Sequence, residues 1–302
     1  MADTSETRID PRWAWEAYRP NDKAPWDLRR AGHLYRRAAF GATYTELQAA
    51  LKKGPQKAID DLLAGGPNQE SFDKQTEALA ESTVRVNNGS QLRDWWLYRM
   101  LYTPHPLREK LTLFWHNHFA TSNAKVQNAG FMYGQYRLLR KHAVGNFAAM
   151  LKEMSLDPAM MVWLDTRDSK KGNPNENYAR ELMELFSLGI GNYTEHDIRE
   201  AARAFTGWSL EGNEVAFTAG QHDPGEKTVL KQKGKWKPDD IVRICLEQES
   251  APYFITKKLF RFLISETITP PRELIEPLAT SFRKSGYDFG ALVQTMLRSN
   301  LF

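Results

Sequence analysis

One cysteine, Cys245, stands in 302 residues. No intrachain disulfide can form, and no cysteine cluster can hold a metal. No run of 18 apolar residues occurs, so the sequence offers no membrane-spanning helix. A dominant charge is also missing: 41 Lys and Arg stand against 37 Asp and Glu, a net +4. The basic residues come as scattered pairs, Arg29-Arg30, Arg36-Arg37, Lys52-Lys53, Arg140-Lys141 and Lys257-Lys258. Nucleic-acid binders concentrate positive charge on one stripe. These pairs read instead as solvated helix faces, and nucleic acid is not an expected partner. The first twenty residues place acids before any apolar run, which suits neither a signal peptide nor a transit peptide. The expectation is a soluble chain, cytoplasmic or exported as the passenger of a partner. The P-loop, the dinucleotide glycine fingerprint, the GxSxG elbow, HExxH and the EF-hand loop are all absent, as are internal repeats. The common NTPases, dinucleotide dehydrogenases and serine hydrolases are thereby excluded.

What is present is apolar mass with helical period. The chain is 41% hydrophobic, with nine Trp and fifteen Phe, enough for a substantial packed core. Caps punctuate it. Thr43 to Glu46 is a capping box, closed by Gly54 after Lys53. Asn173-Pro174-Asn175-Glu176 reads as the start of a helix running to Leu188, and Thr194 to Asp197 as the start of the next. Residues 211–236 differ, being rich in Gly, Thr, Val and Lys, with Val215–Thr218 and Thr228–Lys231 as strand candidates. The fold expected is all-α, about a dozen helices in one domain over 26–302. A hairpin or ordered loop is inserted at 211–236, and 1–25 form an N-terminal extension.

Three segments could carry chemistry. On a helix over Leu107–Ala120, Leu107, Leu111, Phe114, Trp115 and His118 share one face, while Glu109, Thr112, Leu113 and His116 share the other. The two histidines are about 200° apart, so one continuous helix cannot aim both at one ion. Each is either a satisfied core histidine or a metal ligand or general base. On the helix after Pro174, Glu176, Arg180 and Glu184 have the spacing of an exposed ion-pair row. Glu181 sits at the margin of the apolar stripe, where a half-buried acid points into a cleft. His222-Asp223 lies in the insertion, followed by Gly225 and Lys227. It is either a loop stapled by its own Asx-turn or a metal ligand, a general base and an anion contact.

These stretches also resemble a family. They are His33–Gly41, Leu107–Lys110, Phe114–Ser122, Asp157–Met160, Asn175–Phe186, Gly191–Glu195, Ala204–Trp208 and His222-Asp223. The chain from about residue 30 to its end resembles the bacterial family catalogued as domain of unknown function 1800. The resemblance implies no established activity. It implies a partner, a co-encoded protein similar to sulfatases and alkaline phosphatases that tends to carry a twin-arginine export signal. It also implies further helix beyond Phe302, and so a truncated or split protein. The residues themselves suggest a metal-dependent or acid–base site of hydrolase type. Its metal ligands would be His116, His118, Glu181 and His222, and its catalytic groups Glu181, His222 and Asp223. The ion would be zinc, iron or manganese. The alternative is a helical binding partner without chemistry.

Overall fold

The computed structural model describes residues 9–302, and among these it contains seventeen α-helices and two small antiparallel hairpins. In chain order the helices are α1 (Pro11–Trp15), α2 (Leu28–Ala38), α3 (Tyr44–Lys53), α4 (Pro55–Ala64), α5 (Gln69–Arg85), α6 (Gly89–Tyr102), α7 (Pro106–Phe119), α8 (Asn123–Val126) and α9 (Ala129–His142). After them come α10 (Phe147–Met154), α11 (Pro158–Trp163), α12 (Asn177–Glu181), α13 (Glu195–Ala204), α14 (Pro238–Leu246), α15 (Ser250–Leu263), α16 (Arg272–Lys284) and α17 (Phe289–Arg298). The fold is all-α as expected. The count exceeds a dozen because α1, α8, α11 and α12 have at most six residues, too few to show a period. No described helix is long and apolar enough to cross a membrane.

The caps act as the sequence suggests. Thr43 Oγ1 accepts from Glu46 N, while Thr43 N donates to Glu46 Oε2 at 2.7 Å. Thr194 and Asp197 make the same reciprocal pair at the head of α13. The helix expected from Pro174 starts later. Asn175 Oδ1 accepts from Asn177 N, and Lys170 and Asn173 form a bridge, so the chain turns before α12 begins at Asn177. After Glu181 the helix widens into a π-turn, Leu182–Ser187, with Leu188 N donating to Met183 O at 2.9 Å.

The insertion is two hairpins, not one. β1 (Trp208–Glu211) pairs with β2 (Glu214–Phe217), and β3 (Lys227–Val229) pairs with β4 (Gln232–Gly234). Each strand candidate pairs with its near neighbour rather than with the other candidate. The second hairpin is tied to α13: Thr228 N donates to Glu200 and Leu230 N to Asp197. Gly207 joins α13 to β1 at φ +84, where a Cβ would stand 2.9 Å from both His222 N and Thr218 O. Only glycine meets both demands.

Apolar packing falls into two clusters. The large one takes in α7's Leu107, Leu111, Phe114, Trp115 and Phe119 with most helices of the chain. The small one consists of Ala80, Leu92, Trp95, Ala129 and Tyr136, from α5, α6 and α9, with Trp96, Met132 and Tyr133 packed on it. α7 lies at the seam, and its second face carries Glu109, fully buried. Four groups surround that carboxylate. Trp96 Nε1 donates at 2.6 Å and Tyr136 Oη at 2.9 Å, and the guanidinium groups of Arg99 and Arg140 stand 3.6 and 3.5 Å away. Asp73 of α5 closes the network by accepting from both arginines.

Removing one member of a buried ion network leaves the others uncompensated. Glu109→Ala is expected to cost roughly 3–5 kcal/mol of folding free energy. Equilibrium urea unfolding checks this; a loss below about 1 kcal/mol, the range of an exposed pair, would contradict it.

Candidate functional site

His118 lies in the core. Its Nε2 is 3.1 Å from Phe186 O and its Nδ1 is 3.1 Å from Lys258 Nζ. An ammonium only donates, so Nδ1 is the acceptor and Nε2 carries the proton. Lys258 also donates to Leu185 O at 2.7 Å and stands over the Phe254 ring. Leu185 and Phe186 belong to the last turn of their helix, where carbonyls lack intrahelical donors. Lys258 and His118 supply those donors. Both ring nitrogens of His118 are thus engaged. Burial and the Lys258 charge hold its pKa well below the usual 6.5. Burial brings Lys258 down to about 8.

Glu181 is half-buried, and its pKa is raised by burial and by Glu184. Glu184 itself accepts from Tyr193 Oη at 2.6 Å. Arg180 pairs with Glu195 at 2.7 Å and with Glu176 at 3.3 Å, so the expected row is a branched pair reaching α13. His222 Nδ1 bonds Thr206 O at 2.9 Å. Asp223 accepts from Gly225 N at 2.8 Å, an Asx-turn, and from Arg203 Nε at 2.7 Å, which holds its carboxyl down at about 2. Lys227 is buried and donates to Asp223 O and Gly225 O. His222, Asp223 and Lys227 therefore fasten the insertion to the end of α13. Among the described residues no three His, Cys, Asp or Glu side chains gather to hold a metal ion. His116, His118, Glu181 and His222 sit in separate surroundings.

His116 is the exception in this set. It lines a cavity of about 490 Å³ between α6, the α7–α8 turn and α9. Its ring meets Trp96 edge-on at 5.1 Å, and among the described residues no side-chain hydrogen bond reaches its nitrogens. Burial lowers its pKa, so the ring is neutral at pH 7. Ala120 ends α7 in the left-handed region, φ 51 and ψ 30, uncommon outside glycine. That turn brings Thr121, Ser122 and Asn123 to the cavity wall beside His116. Thr121 Oγ1 and Asn123 Oδ1 are buried without a hydrogen-bond partner. Across the wall, Gly89 makes room: a Cβ there would lie 2.1 Å from Asn123 Nδ2. Trp95, Trp96, Met132 and Tyr136 complete an apolar side. Sequence reasoning reached His116 and the polar stretch to Ser122 but not these wall residues, since Trp96 and Tyr136 look like any aromatic on a helical stripe.

The two core shifts have one sign. The folded chain binds fewer protons than the unfolded one at both His118 and Lys258, so stability rises with pH across each window. For Lys258 that window runs from about 8 up to the usual 10.5. Wild type is expected to gain stability relative to Lys258→Met across it, measured by urea unfolding at stepped pH. A difference that stays flat would contradict the burial of this ammonium.

No curated protein and no solved structure matches this chain. The family model described as "Protein of unknown function (DUF1800)" matches residues 33–302. That span includes α7, the His116 cavity, the π-turn and the insertion, and nearly all of the sequence. The chain therefore belongs to the DUF1800 family of proteins of unknown function.

Proposed function

We propose that the cavity between α6, the α7–α8 turn and α9 is a small-molecule site in which His116 moves a proton, and that the reaction is a hydrolysis. The observation that carries this reading is the His116 ring. It is neutral, faces a cavity and has no side-chain hydrogen bond to the described residues. A neutral imidazole with a free nitrogen can take a proton from water and return it to a leaving group. Thr121 Oγ1 and Asn123 Oδ1 are buried polar atoms awaiting a partner, and such groups fix the orientation of a ligand. The apolar wall of Trp95, Trp96 and Met132 favours a substrate with an aromatic or aliphatic body.

His118 supports the site only through the fold, because both its ring nitrogens already hold partners; His222, fastened through Nδ1 to Thr206 O, does not line this cavity. Glu181 does not line this cavity. The proposed chemistry therefore rests on His116 and the polar turn after it, with no ligand set drawn from the other candidates.

A panel of chromogenic carboxylic and phosphoric esters tests the reading. Turnover of at least one apolar ester is expected. It should fall on the order of 100-fold to 10,000-fold in His116→Gln, while Glu181→Gln stays within about twofold of wild type. The rate should decline on the acid side through a pKa below 6.5, since burial depresses that of His116. Equal turnover in wild type and in folded His116→Gln would sink the assignment, as would no turnover across the panel.

A further inference from the structure

On the other side of the Trp95–Tyr136 wall lies a second cavity, of about 300 Å³. Five cationic side chains line it: Arg99 from α6, Arg108 from α7, and Arg137, Arg140 and Lys141 from α9. Four of the five have carboxylates. Arg99 and Arg140 share Asp73 and Glu109, Arg137 stands 3.9 Å from Glu77, and Lys141 bonds Glu153 at 2.7 Å. Arg108 has none. Its Nε donates to Arg140 O at 3.1 Å, and its guanidinium forms no ion pair among the described residues.

We propose that this cavity is an oxyanion site, taking a phosphate or carboxylate group of a ligand, with Arg108 as its principal contact.

Three observations support it. Arg108 and Arg140 are like charges from adjacent helices, joined by a hydrogen bond from the Arg108 side chain to the Arg140 backbone. Burial and the Arg140 charge both lower the Arg108 pKa, yet guanidinium stays charged in proteins. An unpaired, half-buried cation beside a second cation is costly unless an anion arrives. Next, Arg99 is buried, and its Nε and that of Arg140 have no hydrogen-bond partner. They face Glu109 at 3.6 and 3.5 Å, too far to satisfy either donor. The network is therefore short of acceptors. Last, the His105 ring at the head of α7 is held neutral, at about 4, by burial and then by Arg108 and Arg140, a local sign of positive potential.

A guanidinium fork bonds phosphate and carboxylate oxygens two at a time. The single uncompensated charge fits one such group. The aromatic rings of Trp95, Tyr133 and Tyr136 line the same cavity, so a ring attached to the anion has surfaces to stack on.

Isothermal titration calorimetry with inorganic phosphate, and separately with benzoate, tests this in the full chain at constant ionic strength. Saturable binding of either probe is expected, which also identifies the group recognised. Affinity should drop at least tenfold in Arg108→Gln and recover in part in Arg108→Lys. Should Arg108→Gln fail to fold, Arg137→Gln at the rim is the substitute, with a loss of about threefold expected. His116→Gln should bind the probe as wild type does, so failure of the hydrolytic reading leaves this one standing. Absence of saturable binding of both probes, or undiminished binding in a folded Arg108→Gln, would overturn it.

Discussion

The constraint on which this molecule turns is a carboxylate removed from water. Glu109 sits in the first turn of α7 with no exposure, and a buried carboxylate requires donors and countercharge on every side. It finds them on two other helices: Trp96 and Arg99 come from α6, and Tyr136 and Arg140 from α9. Asp73 then adds α5 by holding both arginines. Apolar contact alone is tolerant of small slides between helices. A set of hydrogen bonds between 2.6 and 3.1 Å is not. The network therefore fixes how the small aromatic cluster meets the main core.

That seam is also where space is left over. Two apolar clusters joined through polar groups cannot interdigitate as one core does, and the gaps are the two cavities. Trp95 and Tyr136 line both. One cavity is largely apolar with a free imidazole, while the other is polar and rich in arginine. Their contrast follows from α7, whose faces present His116 toward one side and Arg108 toward the other. The same helix supplies the main core with Leu107, Leu111, Trp115 and Phe119. A single fourteen-residue segment thus holds the core together and furnishes both chambers.

Much of this was readable from local signals. The caps at Thr43 and Thr194, the end at Gly54, and the division of α7 into two faces all depend on residues within a turn or two of each other. What escaped reading depends on distant partners. His118 is explained by Phe186 and Lys258, 68 and 140 positions away. Arg140 looked like half of a solvated pair, yet it lies inward beside Asp73, 67 positions earlier. The place of Glu181 at a stripe margin says nothing about whether a cavity stands there, and it does not line the His116 cavity. The π-turn was hidden because Tyr178, Leu182, Leu185 and Phe186 satisfy an ordinary helical period as well. In the insertion, composition marks β2 and β3 but neither β1 and β4 nor the pairing, since it can flag a strand without naming its neighbour.

The π-turn carries a consequence for how this chain can change in length. It amounts to one residue too many for an α-helix, accommodated in place rather than expelled into a loop. A regular helix one residue shorter turns through nearly the same angle over this stretch, so the segments on either side would keep their faces. What would move is the carbonyls inside the turn: without Leu185 O and Phe186 O, Lys258 keeps only His118 Nδ1 as acceptor, and the His118 Nε2 proton is buried with none. A single-residue deletion between Leu182 and Ser187 should therefore preserve the phase of the chain on either side, with its cost confined to these two bonds. The exposed β1–β2 turn at Gly212, by contrast, can lengthen or shorten with little effect.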